Sequence, residues 1–86
     1  MTDDPRRAPG ADLPAWIESL TAALGVDPSM VDTDRLLGVA ADVAHQVARP
    51  AVPITMFIAG LAAAGADPAP ILARIEAEAA AWTAEQ

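Results

Sequence analysis

The chain has 86 residues and a formal charge of −7, from 12 acids against five bases, all of them Arg. Twenty-two residues are Ala, none is Cys, and one is His. That length bounds the chain to a single domain, and the acidic, Lys-free composition argues against binding nucleic-acid backbones. Without Cys and with one His, disulfide frameworks, thiolate chemistry and zinc-finger sites are excluded. A domain this small buries about 60–65% of its unfolded surface, so a surface groove or partner-facing patch is easier to build than a deep enclosed site.

Residues 1–11 read as a disordered lead. Pro5, Pro9 and Gly10 sit among charges, with no periodicity and no apolar run of the signal-peptide kind, so a cytoplasmic chain is expected. Organisation begins at Asp12, an N-cap followed by Leu13-Pro14. Leu13, Trp16, Ile17, Leu20 and Leu24 share one helical face, Glu18 and Thr21 lie opposite, and Gly25 stops the helix. Asp27-Pro28 opens a single turn through Ser29, Met30 and Val31, and Asp32 or Thr33 caps the second helix.

That helix is predicted from about Asp34 to Ala48. Its apolar stripe is Leu36, Ala40, Val43 and Val47, widened by Leu37 and Ala44, with Arg35, Gly38, Asp42, His45 and Arg49 opposite. Pro50 bars Arg49 from the helical region and ends it. Pro50 to Pro53 forms a stiff connector. A third helix then runs from Thr55 to Ala64, initiated at Pro53 or Ile54 and closed by Gly65. One side holds Ile54, Phe57, Ile58 and Leu61; the other holds Met56, Ala59, Gly60 and Ala63. Apolar all round, this helix is expected at the centre, its small residues admitting a close neighbour.

The uncharged run from Pro50 to Ala66 is too short and too interrupted by Pro and Gly to span a membrane. Asp67-Pro68 starts a fourth helix to about Ala84, packing Ile71, Leu72, Ile75, Ala79 and Trp82 and exposing Arg74, Glu76 and Ala80. The expected architecture is all-α, a compact bundle of four helices over residues 12–86. Trp16 and Trp82 fall on apolar stripes as core anchors, or else line a partner groove.

One polar constellation stands out. Asp42, His45 and Arg49, at i, i+3 and i+7, stack on one helix face, and Thr55 follows a short way along the chain. Asp42 could orient His45, and the Arg49 fork could grip an anion. The same three residues also read as a solvated pair with a cation at a helix C-terminus. One His and one Asp are too few for a metal site, Ser19 and Ser29 suggest no catalytic triad, and the isolated glycines build no phosphate loop.

Leu36-Leu37, the run Asp42 to Thr55, Phe57 and Gly60-Leu61-Ala62-Ala63 together resemble a small helical bacterial domain of uncharacterised role, common in actinobacteria. The likeness spans Leu13 to Trp82, and its most specific part is His45-x-x-x-Arg49-Pro50-x-x-Pro53-x-Thr55. That domain occurs alone or fused behind the nucleotidyltransferase that attaches a guanine nucleotide to molybdopterin. The resemblance maps the signature onto Asp42, His45, Ala48, Arg49, Pro50, Pro53, Thr55 and Phe57. Where relatives carry an acid and a second charge, this chain has Gly38 and Ala41, which thins the polar face.

The resemblance implies a non-catalytic accessory domain of molybdenum cofactor biosynthesis or delivery, with no cofactor of its own. It would bind a protein partner, the nucleotidyltransferase or a molybdoenzyme maturation factor, or else the anionic pterin nucleotide itself. Contact candidates are Asp42, His45, Arg49, Pro50, Pro53 and Thr55. The alternative is a generic helical interaction module, such as a homodimer formed through the small-residue face of the third helix.

Overall fold

The computed structural model describes residues 12–85; the expected lead, residues 1–11, lies outside them. Among the described residues the chain is all-α. It forms α1 (Leu13–Leu24), a 3-10 turn (Pro28–Met30), α2 (Thr33–Gln46), α3 (Ala51–Ala63) and α4 (Ala69–Glu85), with no strand. The backbone divides into two units, one ending at Val31 and one beginning at Asp32.

In the first unit, Asp12 occupies the N-cap position of α1 without a side-chain capping bond, and Pro14 sits in the first turn. Gly25 ends the helix at φ 69°, a left-handed conformation that lacks a steric cost only in glycine. The Val26 N–H reaches back to the Thr21 carbonyl at 2.9 Å. The expected apolar face splits in two. Leu13 and Ile17 are half-buried, whereas Trp16, Leu20 and Leu24 are exposed. Thr21, expected outside, is buried. Its hydroxyl donates to the Ile17 carbonyl at 2.8 Å, with the Glu18 carbonyl also within reach at 3.1 Å, so the helix itself satisfies the polar group. The following turn is capped by Asp27, whose Oδ1 accepts from the Ser29 N–H at 2.9 Å.

In the second unit, Asp32 caps α2 by accepting from the Arg35 N–H at 3.1 Å, and Asp67 accepts from the Ala69 N–H at 3.0 Å ahead of α4. The core is Val39, Val43 and Leu72, with Leu36, Ala51, Val52, Met56 and Ile75 packed around it. Val39 is fully buried, while Leu37 is 54% exposed. The inward face of α2 is therefore turned away from Leu37 and toward Arg35 and Asp42, which are half-buried, as Ala44 also is. This turn is stabilised by an ion pair between α2 and α4: Arg35 Nη2 donates to Glu76 Oε1 at 2.9 Å. Both residues were expected on exposed faces.

α3 also departs from expectation. It begins at Ala51, so Pro53 belongs to its first turn and not to a connector. The third helical position has no intrahelical acceptor for its N–H, so proline there forfeits no bond. The helix is not central. Ala59 is buried and Met56 packs on the core, but Ile54, Phe57, Ile58 and Leu61 are exposed. No atom lies within 4 Å of where a Gly60 Cβ would sit, so Gly60 serves no close approach. Of the small-residue face, Ala59 is buried, Met56 and Ala63 are half-buried, and Gly60 is exposed.

Candidate functional site, an apolar cleft beside the α2–α3 turn

α2 ends by widening into a π-type turn. The Val47 and Ala48 N–H groups both reach the Val43 carbonyl, at 2.9 and 3.1 Å. The chain reverses within Val47–Pro50, the Ala51 N–H bonding to the Ala48 carbonyl at 3.1 Å and the Val52 N–H to the Arg49 carbonyl at 3.0 Å. Pro50 has no N–H to donate and holds φ at −63°, already helical, so the turn runs directly into α3.

This geometry separates the sequence-nominated residues. The helix stops at Gln46, so Arg49 does not stack one turn beyond Asp42 and His45. Asp42 is half-buried; His45, Arg49, Pro50 and Pro53 are exposed. No hydrogen bond or ion pair joins Asp42, His45 and Arg49 to one another. Among the described residues no group of three or more His, Asp or Glu is placed to hold a metal ion.

Thr55 occupies a different setting. It lines a cleft of about 200 Å³ between α2, α3 and α4, whose floor is Val43, Ile75 and Ala79. Val47, Thr55, Glu78 and Trp82 form its remaining walls. The surface is apolar, with one hydroxyl and one carboxylate, and no Arg or His lines it. Such a cavity suits an apolar side chain far better than an anionic nucleotide, because Glu78 would repel phosphate and nothing would neutralise it. Trp82, read as a core anchor, is 50% exposed here, and Trp16 on α1 is 58% exposed. An indole left half-solvated on a cleft wall has an apolar body for a partner to cover and an N–H for it to accept from.

Of the nominated residues, Thr55 is the one that lines the cleft. His45 and Arg49 each stand two residues from Val47 along the chain, one on either side. Val47 and Glu78 were not nominated as contact residues, and Trp82 was read as a core anchor or else as lining a partner groove. For Trp82 the signal was present, in a large aromatic near the end of the last helix. For Glu78 there was none, since an acid on an Ala-rich helix looks like any solvated acid.

An all-α domain with an apolar cleft between three of its helices is the class these features define. The chain belongs to the family described as Domain of unknown function (DUF6457), whose model matches residues 8–86. No curated protein and no solved structure matches it.

Proposed function

We propose that the protein is a non-catalytic accessory domain in the biosynthesis or delivery of molybdopterin guanine dinucleotide, acting in the cytoplasm by docking a protein partner. The partner is the molybdenum cofactor nucleotidyltransferase or a molybdoenzyme maturation factor. The carrying observation is the cleft: apolar, open beside the α2–α3 turn, and bounded by a half-exposed Trp82. The molybdenum context is supported by the resemblance running through His45, Arg49, Pro50, Pro53 and Thr55.

The two candidate ligands of this reading differ in charge, and the cleft favours one. An anionic pterin nucleotide gains nothing from a pocket whose charged wall is Glu78. A partner's apolar side chain gains burial there, and Arg49, two residues along the chain from Val47, is an exposed positive charge on a chain of net charge −7. Among the described residues no helix is long and apolar enough to cross a membrane.

Titration calorimetry with the purified nucleotidyltransferase, and separately with the maturation factor, tests this. Wild-type protein is expected to bind one of them. Trp82→Ala is expected to weaken that binding about tenfold or more, as truncation of a central aromatic does. Absence of binding to both proteins, or an unchanged affinity for Trp82→Ala with helix content intact, overturns the proposal.

A further inference from the structure

The outward face of α3 lies apart from the cleft: Thr55 is about 110° around the helix from the centre of the Ile54–Phe57–Ile58–Leu61 stripe at 100° per residue. These four side chains are 57–69% exposed. We propose that this face is the interface of a homodimer in which two copies of α3 pack antiparallel about a two-fold axis between Phe57 and Ile58. The inference does not depend on the molybdenum reading.

An uncharged face admits a second copy as the occupant despite the net charge. Each chain carries −7, so two copies repel except where they meet without carboxylates. Pro50 to Ala66 holds no charged residue, and α3 has neither an acid in its first turn nor a base in its last. A basic partner would find no acid on this helix to pair with. A second copy finds a surface on which its own charge is absent.

The spacing selects the geometry. Residues 54, 57, 58 and 61 are separated by 3, 1 and 3, a pattern that reads the same in both directions. An antiparallel copy therefore sets Ile54 against Leu61 and Phe57 against Ile58, each contact occurring twice, as an isologous interface requires. It also lays opposed helix dipoles side by side. Four side chains of roughly 200 Å² each, nearly two-thirds exposed, contribute about 500 Å² per copy. The pair buries about 1,000 Å², the lower limit for a specific interface, so a reversible dimer with Kd on the order of 10–100 μM is expected.

Sedimentation velocity across about 10 μM to 1 mM is expected to show monomer passing to dimer, and Phe57→Glu to remain monomeric throughout. Since the chain has no Cys, pairing can be read separately. Ile54→Cys and Leu61→Cys chains, mixed and oxidised, are expected to give the mixed disulfide in excess of either self-disulfide. A wild-type chain that stays monomeric at 1 mM overturns the proposal and leaves the face to another protein. Dominant self-disulfides overturn the antiparallel arrangement.

Discussion

At Ala64, the C-cap of α3, a residue with a Cβ holds φ at 50°, while the glycine beside it, Gly65, holds φ at 82°. The left-handed conformation costs an L-residue about 1 kcal/mol and costs glycine nothing. Four residues earlier, Gly60 sits inside the helix with open space where a side chain would go. Exchanging the two preferences should help twice. Ala64→Gly and Gly60→Ala are each expected to raise stability by about 0.5–1 kcal/mol in chemical denaturation. A loss of stability in Gly60→Ala would show that something approaches that position closely.

Asp27 offers a second test at this scale. The Ser29 backbone N–H, followed by its hydroxyl, holds the Asp27 carboxyl below the ordinary carboxylate range. A carboxyl with a depressed folded pKa contributes stability above its unfolded pKa, and that contribution is lost as pH falls through the folded value. In a carbon-detected NMR titration, Asp27 should therefore protonate at a lower pH in the folded chain than in the urea-unfolded chain. Ser29→Ala should leave most of the effect, because the larger cause is the backbone donor.

At the scale of elements, α2 shows what the sequence discloses and what it does not. The Asp27, Asp32 and Asp67 caps, the Gly25 stop and the existence of all four helices were legible, because each depends on residues adjacent in the chain. The rotation of α2 was not. Val39 lies between apolar Leu36 and Val43 and polar Arg35 and Asp42, so two overlapping stripes fit the same period. The choice is made by α4, which supplies Leu72 to the core and Glu76 to Arg35. For α3 the pattern was uninformative, since both faces are apolar and only its neighbours decide which is inward.

The rotation predicts unequal costs for similar truncations. Val39→Ala should destabilise by about 2 kcal/mol, and Leu37→Ala by no more than about 0.5. Equal costs would place the inward face where periodicity alone puts it. Arg35→Met keeps the aliphatic packing and removes a pair that is about a third exposed, so a loss within about 1 kcal/mol is expected.

At the scale of the molecule, the few large side chains are spent in an unusual way. Trp16, Trp82, Phe57 and three aliphatics of α3 remain at the surface, while Val39, Val43, Leu72, Ala59 and Ala79 are buried. Of the residues nominated from the sequence, Thr55 lines the cleft and Asp42, His45, Arg49, Pro50 and Pro53 do not. The sequence did not disclose the cleft, whose walls come from three helices. Surface apolar groups in a small acidic chain weaken the core that would otherwise contain them, and that cost is offset if a partner covers them. The central claim is that the covering partner docks at the cleft. Amide-shift mapping of the labelled protein on adding the nucleotidyltransferase, then the maturation factor, tests it most directly. The account predicts that one of them moves Val47, Arg49, Thr55 and the Trp82 indole N–H together while α1 stays still; a titration with each that leaves these four unmoved contradicts it.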